Sequence, residues 1–500
     1  MSNDPTAARR ILDNIKNKDS KFWTMEEQKQ MLALFHQAAK RVPAYQKFLK
    51  KQGIDPSKIK TIVDFKKIPP MDKKNYLRRH DLQDISWDGN LLKPLVYTAT
   101  SGSTGAPFYF HRSLDLDWQS SVIHELFLTN SSYKNKESIL VIDCFGMGVW
   151  IGGLITYQAF KHLQERGYPV SVVTPGINKE EIFKILSLLA PKYKQIILIG
   201  YPPFLKDVID EFLTRNIHIN KMNLRLLFAA EPFTEKFRDY VTKLVHIHNP
   251  LLDTMNIYGS ADIGTMAFET PLSIFIRREA LKNKKLYQSL FPESNTKLPT
   301  LAQYIPDFIS FEKEHGELLL TGNNSLPLIR YAIGDCGGVY DWDTVNQKFT
   351  AEGLSLSELL AKAGLADYNY QLPFVYIYER VDFSVKLYGA TIEPATIRDA
   401  LLSKSLQKYL TGKFTMSVPH DKKLDQYLEI NVELRVGTNQ GPQLMKQVSD
   451  AIVGNLLKYN AEYRNNHNLI PEKVTPHLVF WPHNNPEYFR AGVKQKWVGV

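Results

Sequence analysis

Between Ser138 and Gly259, five short apolar runs (SILVID, VSVVTP, QIILIG, LRLLFAA and TMNIYG) alternate with stretches of helical periodicity near 152–165, 179–190, 203–215 and 234–247. Runs of this length rich in Val, Ile and Leu read as strands, and each intervening stretch is long enough to be a crossover helix. A repeating β-α-β pattern leaves few options: a largely parallel sheet covered by helices on both faces. Ligands of such sheets bind outside the carboxyl ends of the strands, so the residues just after LRLLFAA and TMNIYG become site candidates. The stretch Ile139–Phe160 is long enough to suggest a membrane span, but Asp143 and four glycines interrupt it. A strand, a glycine turn and a buried helix account for it better.

Five hundred residues exceed what one hydrophobic core supports, so at least two domains are expected. After about residue 380 the texture changes. KFTMSV, YLEINVELR and HLVFW read as strands and PQLMKQVSDAIVGNLLKY as a helix. This predicts an α/β protein with a large N-terminal domain, residues 1–381, built on helix-covered mixed or parallel sheets, and a small α+β domain, residues 382–500. Near the start, Thr24 and Glu27 have capping-box spacing, with Met31, Leu34, Phe35, Ala38 and Val42 following at helical period; a helix is predicted from there to Pro43. The net charge of +10 comes from lysines and arginines scattered among acids, which argues against a nucleic-acid partner. Two cysteines, Cys144 and Cys336, offer neither a disulfide framework nor a cysteine metal site, and no secretory leader pattern is visible, so the expected address is the cytoplasm.

The segment YTATSGSTGAPFYF places Ser101, Gly102, Ser103, Thr104 and Gly105 between two strand-like runs. Glycines at 102 and 105 let backbone amides turn inward as a nest, and three hydroxyls add donors, a composition suited to phosphate oxygens and equally to an ordinary hairpin turn. The order T-S-G-S-T-G-x-P resembles the phosphate loop of the adenylate-forming superfamily of acyl-CoA ligases, luciferases and adenylation domains. Phe108 stands where many members carry lysine, and the phenylacetate-CoA ligase branch likewise lacks that lysine. Further segments follow in the family's order: AAEPFTEKFRDYV from Ala229, IYGSADIG from Ile257, GELLLTGNNSLPLIRYAIGDCG and YERVDFSVKLYGATIEPATI. The N-terminal segment through IPPMDKKNYLR also resembles that branch.

The resemblance implies ATP-dependent activation of an aryl or other acyl carboxylate as an acyl-adenylate, followed by transfer to coenzyme A. Its other implied outcomes are transfer to an amine or carrier protein, or a degenerate nucleotide-binding homologue. It implies that Thr100, Ser101, Gly102, Ser103, Thr104 and Gly105 hold the ATP phosphates, and that Ala230, Glu231 and Pro232 lie along the adenine with Tyr258, Gly259 and Ser260. Asp262 would ligate Mg²⁺ in place of the usual glutamate, Asp335 would accept from the ribose hydroxyls, and Arg380 and Lys386 would contact the nucleotide. Asp382 would be the hinge about which a mobile small domain rotates, with Lys494 first choice and Lys496 second for its catalytic lysine. Small molecules are the implied partners, to a monomer or homodimer.

Overall fold

The computed structural model describes residues 5–93, 95–99, 108–133, 137–215, 217, 222–292, 299–323, 325–380, 384–483, 485 and 487–489. A hairpin of β1 (Val96–Ala99) and β2 (Tyr109–Arg112) flanks the hydroxyl-rich segment. The five apolar runs become β3 (Ile139–Asp143), β4 (Val170–Val173), β5 (Gln195–Gly200), β6 (Asn223–Ala229) and β7 (Thr254–Ser260), all parallel where they pair. Helices Ile151–Glu165, Lys179–Leu188, Pro202–Thr214 and Glu235–Leu244 connect them, as the alternation predicts. Every residue of β3 and β5 is buried, the condition under which a parallel strand reads as an uninterrupted apolar run.

Six further strands extend this sheet with antiparallel pairings: β8 (Gly264–Phe268), β9 (Thr300–Gln303), β10 (Ile309–Glu314), β11 (Glu317–Asn323), β12 (Pro327–Tyr340) and β13 (Phe374–Arg380). The strand order is β10-β11-β12-β13-β9-β8-β7-β6-β5-β3-β4. The sheet is therefore mixed, parallel only in the half that the β-α-β rhythm marks.

In the C-terminal region β14 (Val385–Leu387) and β15 (Ala390–Ile392) form a hairpin, and β16 (Leu410–Ser417), β17 (Glu429–Leu434) and β18 (His477–Trp481) form a second small sheet under the helix Pro442–Tyr459. Two short helices, Ala461–Leu469 and Pro471–Val474, were not foreseen. One hydrophobic core runs from the parallel strands into this region through Tyr201, Leu387 and Tyr388.

A helix over Pro5–Asn17 comes first, and the helix predicted from Thr24 differs from its prediction. It spans Ser20–Arg41 and is capped by Asp19, whose carboxylate accepts from the Phe22 N–H. Thr24 lies inside the helix and donates to the Ser20 carbonyl, and Glu27 accepts from the Tyr304 hydroxyl at 2.7 Å. The capping-box spacing was satisfied by chance because a better cap stands five residues earlier. The N-terminal segment then crosses to β12. Met71 bridges Tyr331, and the Arg330 guanidinium binds the carbonyls of Lys66 and Ile68. Among the described residues no helix is long and apolar enough to cross a membrane.

Candidate active site

β7 carries Tyr258 and Ser260 and runs into a turn holding Asp262. The Tyr258 hydroxyl donates to Asp335 Oδ2 at 2.5 Å, and the Tyr331 hydroxyl donates to Asp262 Oδ2 at 2.6 Å. Asp335 and Tyr331 both belong to β12, which stands four places from β7 in the strand order. Strands that far apart can exchange two side-chain bonds only if the sheet curls across the gap. The curl gathers Tyr258, Asp262 and Asp335 at one end of the sheet. Arg380, described in its backbone only, closes β13 as the cross-strand neighbour of Asp335. Asp262 and Asp335 are 4% and 8% exposed, so these carboxylates are held in place rather than solvated.

Lys73 is the residue that sequence reasoning passed over. Its Nζ lies 2.9 Å from Asp262 Oδ2 and sits over the Phe110 ring at 5.7 Å. The Met71 bridge to β12 delivers it there, with the Ala332 N–H donating to the Met71 carbonyl at 2.8 Å. The signal was present in IPPMDKKNYLR, but a lysine among scattered lysines carries no spacing that ties it to residue 262. Tyr331 was equally silent inside the strand motif.

Ala230, Glu231 and Pro232 follow β6, and Ala230 takes a left-handed backbone, φ 74°, that turns the chain across the strand end. The Asn256 amide donates to the Glu231 carbonyl at 3.2 Å. Behind this segment lies a buried ionic cluster. Glu235 receives Arg238, Arg277 and Arg278, Glu269 receives Arg238 and Arg277, and Arg277 also binds the Phe233 carbonyl at 2.5 Å. Burial pushes the Glu235 carboxyl up, but the three guanidinium groups outweigh it and hold it down at about 2. Glu235→Gln is expected to destabilise the fold by roughly 3–5 kcal/mol, the usual cost of leaving buried charges uncompensated. Urea unfolding at neutral pH checks this. The ion-pair contribution is present above the usual carboxylate pKa and is lost as pH falls from about 4.5 toward 2.

The Glu231 carboxylate, 4% exposed, faces the C-terminal region. It accepts from the Gly389 N–H and, at 3.0 Å, from the Gln426 amide. Burial raises its pKa, while Gly389, Gln426 and the nearby Lys386 charge work the other way. Lys386 itself donates to Thr391 Oγ1 at 2.6 Å across the β14–β15 hairpin. The hairpin loop has two residues, Tyr388 and Gly389, with φ 49° and 84°, the type I′ pattern that favours glycine at its second position. Its tip lies on Tyr201, which is packed edge-on by Phe145 at 5.0 Å.

Thr100, Ser101, Gly102, Ser103, Thr104 and Gly105, the hinge candidate Asp382, and Lys494 and Lys496 lie outside the described residues. Gly259 and Ser260 end β7, with the Ser260 hydroxyl accepting from the Asp262 N–H at 3.2 Å. Among the described residues no group of three or more His, Cys, Asp or Glu side chains could hold a metal. Asp262 therefore offers one carboxylate, already shared by Lys73 and Tyr331. That fits Mg²⁺ carried in on phosphates and water, which needs only one or two protein carboxylates, and does not fit a metal caged by protein.

No family model matches the chain. It is 22% identical over 312 residues to a phenylacetate-coenzyme A ligase of Thermus thermophilus, a match covering 59% of this chain and 63% of that protein. Among solved structures it is similar to a 2-hydroxyisobutyryl-CoA ligase in complex with 2-HIB-AMP and CoA in the thioester-forming state, with a TM-score of 0.64, 14% identity, and 97% and 91% of the two chains covered. The same ligase in its postadenylation state with 2-HIB-AMP gives a TM-score of 0.53, 13% identity, and 98% and 90% coverage. The chain thus has the fold of the 2-hydroxyisobutyryl-CoA ligase, and its sequence is similar over 312 residues to that of the phenylacetate-coenzyme A ligase.

Proposed function

We propose that this chain uses ATP to convert a carboxylic acid into an acyl-adenylate and then passes the acyl group to coenzyme A. The observation that carries this reading is the pairing of Tyr258 with Asp335 beside Asp262 and Lys73, at the end of a sheet whose fold is that of a CoA ligase. A carboxylate is a poor acyl donor because its leaving group would be oxide, and AMP supplies a good one. The chemistry then needs phosphate positioning and charge neutralisation rather than a protein nucleophile.

In this reading Asp335 accepts both ribose hydroxyls, as an ionised carboxylate can. Tyr258 flanks the adenine beside Ala230–Pro232, and residues 100–105 hold the β- and γ-phosphates. Bound magnesium would neutralise phosphate charge next to Asp262, through one oxygen or through water. Lys73 brings a cation to the same place, which offsets the lysine missing at Phe108. Residues 382–500 form a mobile domain that presents Lys494, or failing it Lys496, for adenylation and the Tyr388–Gly389 tip for thioester formation. Similarity to a phenylacetate-CoA ligase favours an aryl acid.

ATP–pyrophosphate exchange across a panel of aryl and aliphatic acids tests the first step, and AMP release with CoA, amines or a carrier protein tests the acceptor. Exchange with no acid by a folded, ATP-binding protein overturns the reading. Tyr258→Phe removes a hydrogen bond to a charged acceptor, worth roughly 1.5–3 kcal/mol. The expected result is a rise of about tenfold or more in the KM for ATP, with kcat for exchange less affected.

A further inference from the structure

The C-terminal region meets the helix Pro202–Thr214 through an unbroken chain of alternating charges. Asp210 and Asp425 share Lys206 at 2.6 and 2.7 Å; Asp425 and Asp207 share Lys473 at 3.5 and 2.9 Å. Asp207 also accepts from the Tyr388 hydroxyl at 3.0 Å. The Lys206 side chain is fully enclosed and that of Asp207 is 2% exposed. Glu231 adds the Gln426 amide and the Gly389 N–H. Every one of these contacts joins residues more than 150 positions apart, except Lys206–Asp210, which lies within one helix, and Lys473–Asp425, which lies within the C-terminal region.

Buried ion pairs add little net affinity, but an arrangement that removes one partner while the other stays buried is strongly disfavoured. A chain of this kind therefore fixes one docking register. Resting on the function proposed above, we propose that the Asp207–Lys473 and Lys206–Asp425 pairs and the Glu231–Gln426 contact form a clasp that holds the C-terminal domain in the arrangement for thioester formation. Lys206, Asp207, Asp425, Gln426 and Lys473 are positioning residues for the second half-reaction alone, whereas Glu231 also belongs to the adenine side. Adenylation proceeds with the domain turned away, where Lys206 and Asp207 meet water and pay no penalty. The better agreement with the thioester-forming state of the similar ligase, TM-score 0.64 against 0.53, accords with this.

Glu462, on the helix Ala461–Leu469, adds a proton to the balance. Its carboxylate accepts from the Tyr201 hydroxyl at 3.4 Å, with Lys386 and Glu231 the other charged groups facing it. Burial in the docked arrangement raises it to about 7, although Lys386 and Tyr201 oppose the rise. Docking thus retains a proton that the undocked domain releases above the ordinary carboxylate range, so the clasp weakens as pH rises toward about 7. Glu462→Gln, which cannot ionise, is expected to keep the domain docked at pH 8.

The test uses the full chain with Cys336→Ser and spin labels on Lys236→Cys and Lys446→Cys, both exposed, one on each side of the clasp. Lys473→Met is expected to deplete the short-distance population and to slow thioester formation from preformed acyl-adenylate by tenfold or more. ATP–pyrophosphate exchange should stay within twofold, and Lys473→Arg should restore both properties. An unchanged distance distribution, or equal loss in both half-reactions, overturns the clasp. If the unlabelled protein exchanges with no acid, the functional reading fails, and the distances alone still decide the clasp.

Discussion

Gly389→Ala is expected to cut thioester formation from acyl-adenylate by about 10- to 100-fold while leaving ATP–pyrophosphate exchange close to the parent rate. A Cβ at residue 389 would lie 2.4 Å from Tyr201 Cε1 and 2.6 Å from Cζ. The ring cannot swing away cheaply, because Phe145 packs against it edge-on and its hydroxyl reaches Glu462. Overpacking of this kind costs roughly 1–3 kcal/mol, and each 1.4 kcal/mol is a factor of ten in the docked population. The left-handed φ of 84° also disfavours alanine, but that strain belongs to the hairpin in either arrangement and should appear as a small loss of stability instead. Combining Gly389→Ala with Tyr201→Ala removes the overlap, so the pair should be better than the sum of the single losses. Parallel loss of both half-reactions in Gly389→Ala would show that the contact is not particular to the docked arrangement.

What could be read from the sequence followed from how local the information is. The strands β3–β7 and their helices were legible because burial on both faces leaves near-continuous apolar runs, and crossover connections give each helix its own stretch. The antiparallel half was not, since its pairings join β13 to β9 and β8 to β9 across long gaps in sequence. Site residues divide the same way. Asp262, Asp335 and Tyr258 sit in ordered motifs and could be named, but that Tyr258 bonds Asp335 depends on the curl of the sheet. Lys73 was unreadable for the same reason: 189 positions separate it from Asp262, and only the Met71 bridge brings them together. Glu231 carried an adenine-side expectation from its motif, yet its carboxylate is engaged by Gly389 and Gln426, a partnership written in no local pattern.

The second large effect falls on Asp262. Asp262→Asn keeps an acceptor for the Tyr331 hydroxyl and a polar neighbour for Lys73, and removes only the charge. Asp262→Ala also removes the acceptor of the Tyr331 hydroxyl at 2.6 Å, in a residue 1% exposed, a loss of about 1–3 kcal/mol in stability. If the carboxylate acts by organising charge around transferring phosphates, both variants should lose about 10²–10³ in the rate of exchange, the scale found when a preorganised electrostatic partner is deleted. Only the alanine variant should unfold measurably earlier in urea. The Mg²⁺ concentration for half-maximal exchange should rise in Asp262→Asn, because one of the few protein oxygens offered to the ion has lost its charge. Asp262→Glu puts a longer carboxylate into a site built for the shorter one. With Lys73 and Tyr331 fixed by the β12 bridge, it should recover part of the rate and not all of it. An asparagine variant within threefold of the parent at every Mg²⁺ concentration would move the metal away from Asp262 and leave that carboxylate as the anchor for Lys73.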